Sequence, residues 1–461
     1  MIHQYRLMGR AIIIDAGSAS IHCVDDVAYD AIALADAALR SDANADVAAI
    51  APQLHALYPE LTQQDSEELF ADLAELCAAG LLFAPDAALE VGGGFVTDGN
   101  DVKALCLHVA HSCNLRCDYC FAGQGNYHGS AALMSIETAC RAIDFLVENS
   151  GTKHNLEVDF FGGEPLLAWE TVKQTVKYAR SLEAVHNKNF RFTLTTNGVL
   201  LDDEVTDFCN AEMDNVVLSL DGRREVHDSR RKNPAGGGSY DLIVPKFKRF
   251  AERREGGYYV RGTYTAQNCD FTRDILHIAD LGFSELAMEP AVTAPDDPLG
   301  LTEAHLPRLY EQYELLAAEM AARGTGADGV GEPFTFYHYT LDLEDGPCVY
   351  KRVAGCGSGT EYFAVTPEGE LYPCHQLVGE REFIAGDIEN GVREGFEFRR
   401  LAINERAECR DCWAKLYCSG GCAANAYHAS GDVDGVYELG CELFKKRLEC
   451  AIWLKCVEAG E

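Results

Sequence analysis

Apolar and polar positions divide the chain into three stretches of different rhythm. Within residues 1–90, the segments HQYRLMG, AIIID and SIHCV alternate or run apolar over four to seven residues. This predicts short strands turned at Gly9 and Gly17. Three helical patterns follow. Asp25–Asp26 opens the first, Pro52 lies in the first turn of the second, and Thr62 with Asp65 forms an N-cap pair for the third. In the third, Leu69, Leu73, Leu76 and Cys77 share one face of a 3.6-residue period, and Gly80 ends the pattern. The next segment, APDAALEVGGGFVTDGND, has four glycines, one proline and no period, and is predicted to be a linker.

From about 102 to 340 the pattern alternates. KALCLHVA, NLEVDFFGG, FRFTLTTNG, NVVLSLDG, YYVRGTYT and SELAMEPAV read as strands, with helical runs such as SIETACRAIDFLVENS and TVKQTVKYARSLEAV between them. Repeated βα units predict a parallel sheet, and about six of them predict an incomplete barrel. Chemistry in such folds sits at the C-terminal strand ends, here FFGGEP, LTTNG and LSLDG. From about 341 the chain is dense in cysteine and glycine. It carries a hairpin signal at Thr366-Pro367-Glu368-Gly369-Glu370 and a final helix, CELFKKRLECAIWLKCVE.

Charge narrows the partners. Lys and Arg number 39 against 73 Asp and Glu, a formal charge of −34 in 461 residues. Such a chain repels phosphate backbones and anionic lipid, so neither nucleic acid nor membrane is an expected partner. No apolar run reaches the length of a membrane span, and Asp15 interrupts the short N-terminal run, so the expected location is cytoplasmic. Nineteen cysteines are then the anomaly, because a reducing compartment and a large core leave disulfides without a role. Eight of them (Cys23, Cys77, Cys106, Cys140, Cys209, Cys269, Cys450 and Cys456) sit singly in apolar patterns, as core residues do.

The others cluster. Cys113, Cys117 and Cys120 form a CxxxCxxC directly after the first strand of the alternating region. Three thiolates in one loop can hold three irons of a 4Fe–4S cluster and leave the fourth open to a chelating ligand. Zinc would need a fourth protein ligand, for which His111 is near enough in sequence. The stretch CNLRCDYC, with Tyr119 before the last cysteine, resembles the signature of the radical S-adenosylmethionine enzymes. That resemblance implies a 4Fe–4S cluster whose free iron binds S-adenosylmethionine, and a 5′-deoxyadenosyl radical made by its reductive cleavage. It also implies cofactor contacts from Tyr119, from Gly162, Gly163 and Glu164 of a GGEP element, from Ser219 and Asp221 of LSLDG, and from Arg261. No further catalytic residue is assigned.

A second set, Cys356–x12–Gly369–x4–Cys374 and then Cys409, Cys412, Cys418, Cys422 and Cys441, resembles the seven-cysteine SPASM domain. The resemblance implies two auxiliary 4Fe–4S clusters, hence three clusters in all. Cys409, Cys412, Cys418 and Cys441 would hold the outer one, and Cys356, Cys374 and Cys422 the inner one. Cys348, eight residues before Cys356, is the candidate fourth inner ligand; alternatively that iron is open to a substrate thiolate. Residues 1–90 resemble the winged-helix-like element by which peptide-modifying enzymes hold a leader peptide. A winged-helix DNA binder is the plainer alternative, but the acidic third helix, SEELFADLAEL, argues against it.

Over essentially the whole chain, AHSCNLRCDYCFAGQGNYHG, GCGSGTEYFAVTPEGELYPCHQ and CRDCWAKLYCSGGCAANAYHASGD resemble the maturases of six-cysteine peptides, which form thioethers. Sulfatase-maturing enzymes differ, with an aspartate base after the cysteine matching Cys374, where this chain has His375. The implied fold class is α/β. A partial (β/α)6 TIM-like barrel spans 91–340, an N-terminal winged-helix-like α+β peptide-recognition domain spans 1–90, and a cysteine-rich SPASM domain spans 341–461. The implied partners are a cysteine-rich precursor peptide with its leader and an electron donor such as a flavodoxin or ferredoxin. The competing readings are a radical carbon–carbon crosslink or epimerisation and, from another class, a non-enzymatic zinc-binding regulator.

Overall fold

The computed structural model describes residues 1–86, 88, 102–293, 296–326, 331–341, 348–398 and 401–460; the predicted linker falls largely outside them. Strands β1 (Ile2–Leu7), β2 (Arg10–Asp15) and β3 (Ser20–Val24) form an antiparallel sheet in that order. The first turn needs Gly9, whose φ is +84°. Strand β2 is buried on both faces. Ile13 faces a core shared with α1 (Asp26–Ser41), α2 (Ala51–Leu57) and α3 (Gln63–Ala78), whereas Ile12 and Ile14 belong to the main core of the molecule. A strand between two cores reads as an unbroken apolar run, which is what AIIID is. Both expected caps form: Asp25 accepts from the Ala28 N–H, and Thr62 and Asp65 make a capping box.

The six expected strands are all present and mutually parallel. They are β4 (Ala104–Ala110), β5 (Asn155–Gly162), β6 (Asn189–Thr196), β7 (Asn215–Ser219), β8 (Gly257–Tyr264) and β9 (Glu285–Pro290). Val158, Phe192, Leu218 and Val260 join the main core, so the intervening residues of each strand face the opposite side, the interior of the barrel.

The sheet runs further than six strands. Strand β10 (Thr335–Phe336) pairs in parallel with β9. At the other edge, β11 (Tyr362–Val365) of the cysteine-rich segment pairs in parallel with β4. Strands β12 (Glu370–Tyr372), β13 (Gly386–Asp387) and β14 (Gly391–Val392) continue it to 11 strands. The division at 340/341 is therefore no break in the sheet, and the cysteine-rich segment covers an edge that β4 would otherwise leave open. The β11–β12 hairpin turns where expected, with Thr366 N donating to Glu370 O at 3.0 Å and Gly369 at φ +90°. The last helix, α4 (Glu438–Ala459), lays Cys450, Trp453 and Leu454 into the core that holds Ile12 and Ile14. Among the described residues, no helix is long and apolar enough to cross a membrane.

Candidate active site

The chain leaves β4 at Ala110 and enters the cysteine loop, which three restraints hold. First, Arg116–Cys117 pairs antiparallel with Arg231–Lys232, and the Asp118 carboxylate meets Arg230 and Lys232. Second, the Tyr119 hydroxyl donates to Asp221 Oδ2 at 2.5 Å. Third, the GGEP turn lies against the loop, with Gly163 N donating to Ala110 O at 2.7 Å and Glu164 N to Ser112 O at 3.0 Å. A Cβ on Gly162 would stand 2.4 Å from Ala110 O, and one on Gly163 would stand 2.3 Å from Ser112 O. The close approach these glycines permit is thus between the chain and its own cysteine loop.

Three of the expected cofactor contacts, Tyr119, Glu164 and Asp221, also bond within the protein. Asp221 is wholly buried, its Oδ1 accepting from Thr263 N and its Oδ2 from Tyr119 and Arg231. Its carboxylate, and the Tyr119 phenol with it, organise the loop. Glu164, 1% exposed, accepts from Leu166 N, Thr196 Oγ1 and Asn197 N. Burial raises this acid to about 7, against the pull of those donors. It pins the end of β6, where the Asn197 amide reaches Cys113 Sγ at 3.7 Å and Asn114 Oδ1 at 2.7 Å. Ser219 and Arg261 are cross-strand partners on β7 and β8, on the interior face.

Burial pushes Cys113 up to about 11 and Cys117 up to about 12, with the Arg231 charge opposing both. Without metal these two thiols stay protonated at neutral pH, so a metal held here would have to displace the protons. Leu115 N and Asn197 Nδ2 donate toward Cys113 Sγ, and the buried guanidinium stands beside the loop. Such a donor set fits thiolate ligation of iron. His111 turns elsewhere: its Nε2 lies 3.3 Å from His108 Nδ1 and its ring packs on Tyr127. Among the described residues, no three Cys, His, Asp or Glu converge as ligands of a single ion would. Cluster thiolates each bind a different iron, so they need not.

In the cysteine-rich segment, Cys409, Cys412, Cys418, Cys422 and Cys441 line one cavity of about 910 Å³. Burial raises Cys441 to about 12, and Cys418, Cys409 and Cys412 add to it. Burial does the same for Cys374, on which Cys422 and Cys356 act. Cys356 is exposed. Cys348 is exposed at the start of the helix Val349–Ala354, and no described contact joins it to Cys356, Cys374 or Cys422.

Residues 107–260 match the Radical SAM superfamily. The chain contains a radical SAM domain. It is 25% identical over 381 residues to the radical SAM cyclopropyl synthase TigE of Paramaledivibacter caminithermalis, covering 76% of this chain and 74% of TigE. Its fold resembles that of native anSMEcpe with bound AdoMet and Kp18Cys peptide, with a TM-score of 0.60 at 18% identity over 78% of this chain and 99% of that one. It also resembles Streptococcus suis SuiB bound to S-adenosylmethionine, with a TM-score of 0.51 at 14% identity over 92% and 95%. A radical SAM domain is one that holds an iron–sulfur cluster and S-adenosylmethionine.

The interior of the radical SAM barrel is polar. Burial raises Asp159 of β5 to about 6. Arg261 is exposed there, and its charge acts on Glu289 and His375. His375 Nδ1 lies 3.0 Å from the Tyr362 hydroxyl, and its ring centroid stands 5.1 Å from that of Phe161 and 6.0 Å from that of Phe121. Burial holds His375 neutral, down to about 4. Phe121 follows Cys120 and His375 follows Cys374, so this wall joins the two cysteine regions. Sequence reasoning missed Asn197, Arg231, Tyr362 and His375 as site residues. Asn197 was marked by its place at a strand end, and His375 by standing directly after Cys374.

Proposed function

We propose that this protein joins a cysteine sulfur to a carbon of another residue in a ribosomally made, cysteine-rich precursor peptide, and that residues 1–90 hold the leader. The observation that carries this reading is the attachment of the N-terminal sheet. Strand β3 ends the sheet, so an extended leader can add to it as a further strand. The same sheet is fixed to the cysteine-rich segment. Tyr417 OH donates to Ala19 O at 2.7 Å, and the His3 ring lies 3.8 Å from that of Trp413, the neighbour of Cys412.

When bound, a 4Fe–4S cluster and S-adenosylmethionine supply a radical that takes a hydrogen atom from the substrate carbon. Forming the sulfur–carbon bond then releases the thiol proton and one electron. The reading assigns the electron to the cysteine-rich segment, with Cys409, Cys412, Cys418 and Cys441 holding an outer auxiliary cluster and Cys356, Cys374 and Cys422 an inner one. The wall of Phe161, Tyr362 and His375 lies between that segment and the radical SAM loop and shapes the reaction chamber.

The test is co-expression with a candidate cysteine-rich peptide. Intact mass should fall by two hydrogens per link, and each link should remove one cysteine from alkylation. A second reading, a carbon–carbon bond, is favoured by the likeness to a cyclopropyl synthase. It would give the same mass loss with every thiol still alkylatable. A zinc-binding regulator would purify colourless and leave the peptide unchanged.

A further inference from the structure

The segment after β7, from Asp221 to Lys232, is rich in charge, but two of its charges lie deep beside the cysteine loop. The Asp221 side chain is 0% exposed and that of Arg231 is 11%, and Arg231 Nε donates to Asp221 Oδ2 at 3.0 Å. A closed ring of hydrogen bonds holds them. Asp221 N donates to His227 Nδ1, so Nε2 carries the proton of the neutral ring and donates to Ser239 Oγ at 2.9 Å. Ser239 in turn donates to Arg231 O at 2.7 Å. The pair also grips the loop itself. Asp221 takes the Tyr119 hydroxyl, the Arg231 guanidinium stands 5.6 Å from the Tyr119 ring centroid, and Arg231 is the cross-strand partner of Cys117.

We propose that Arg231 and Asp221 set the reduction potential of the iron–sulfur cluster held by Cys113, Cys117 and Cys120, Arg231 raising it and Asp221 lowering it. The proposal rests on the reading of those three cysteines as ligands. Reduction adds negative charge to the cluster, so a fixed cation nearby favours the reduced state and a fixed anion opposes it. Both charges are buried, where water screens them little. The two are not equivalent in position. Arg231 is the cross-strand partner of Cys117 itself, whereas Asp221 reaches the loop through the Tyr119 hydroxyl. Arg231 and Asp221 are positioning residues, since neither touches a reacting atom.

The experiment is a potentiometric titration of the full-length, cluster-loaded protein. It follows the paramagnetic signal that changes on addition of S-adenosylmethionine, which singles out this cluster. Arg231→Gln should lower the ratio of reduced to oxidised cluster at fixed potential about tenfold, equivalent to about 59 mV for a one-electron couple. Asp221→Asn, which keeps the side-chain volume, should raise that ratio. Arg231→Lys should stay within about twofold of the parent, and Ser239→Ala, which opens the ring at an uncharged link, should not move it. A purely structural ring predicts shifts of the same sign in Arg231→Gln and Asp221→Asn, or iron loss in both, and either result overturns the proposal. If Arg231→Gln does not fold, Asp221→Asn decides: a raised ratio supports the proposal and an unchanged one overturns it. If the parent protein shows no signal responsive to S-adenosylmethionine, the ligand assignment itself fails, and the proposal with it.

Discussion

The two cysteine regions of the molecule are built in opposite ways. The loop of Cys113, Cys117 and Cys120 is tied down before any metal arrives. A backbone pair holds one side, the GGEP turn presses on another, and buried Asp221 fixes Tyr119 from below. In the cysteine-rich segment the cysteines come from several separate elements. Cys409 and Cys418 sit on four-residue helices, Cys356 lies exposed next to Gly355 and Gly357, both at positive φ, and five thiols border an open cavity. One loop has its shape from the fold around it; the other set of cysteines is gathered from separated pieces of chain. In such sites metal binding and folding share one free energy.

The largest effect tests the first half of this contrast. Replacing Cys113, Cys117 and Cys120 together by Ala should abolish 5′-deoxyadenosine formation and remove one cluster's iron. The iron of the cysteine-rich segment should remain, because the two sets share no ligand. Product chromatography and iron analysis measure both, and residual 5′-deoxyadenosine would show the assignment to be mistaken. Stripping all iron with a chelator tests the second half. Amides in 355–422 should lose hydrogen-exchange protection, while β4 and the loop through Cys120 should keep theirs. Equal loss in both regions would erase the distinction.

Much of the scaffold was legible in the chain. The six barrel strands, the caps at Asp25 and Thr62 and the hairpin at Thr366–Glu370 follow from period, capping chemistry and turn residues, which are local. The site was legible as a set of positions, but not as a set of roles. Glu164 and Asp221 are expected ligand contacts by resemblance, and the fold adds what the sequence does not show, that their carboxylates accept from protein donors far away in sequence. Arg231 was not singled out in the sequence, and it is the fold that turns it inward, its side chain 11% exposed. The 1–90 module looked separable, but Ile12 and Ile14 lie in the common core with Trp453. Deleting it would expose that core, so leader binding is better tested on the whole chain.

Two glycines sharpen the contrast at smaller scale. Gly163→Ala places a methyl 2.3 Å from the Ser112 carbonyl, next to Cys113, and the loop must move. Overpacking of this kind costs about 1–3 kcal/mol. The expected result is a lower melting temperature together with loss of the S-adenosylmethionine-responsive cluster signal. Gly421→Ala, between Cys418 and Cys422, meets nothing within 4 Å, and its φ of +69° carries the only penalty, about 1 kcal/mol. It should lower the melting temperature slightly and leave the iron content at the parent value. If Gly421→Ala disturbs iron more than Gly163→Ala does, the preformed loop is not the more exacting of the two sites.

The smallest expected effect belongs to Cys348. It stands at the head of the helix Val349–Ala354, where its carbonyl accepts from Arg352 N at 3.0 Å, and Gly355 closes the other end on Lys351 O. Six helical residues rise about 9 Å. Cys348 and Cys356 therefore stand at opposite ends of a helix. Cys348→Ala should accordingly leave the iron content and the peptide-free paramagnetic spectrum unchanged. The inner set would then offer only Cys356, Cys374 and Cys422, leaving one iron for a substrate thiolate. Added peptide should shift the spectrum equally in the parent and in Cys348→Ala. A spectrum altered by the substitution before peptide is added would mean that metal pulls the helix open and recruits Cys348. The cysteine-rich segment would then be even more dependent on its metal than its present shape implies.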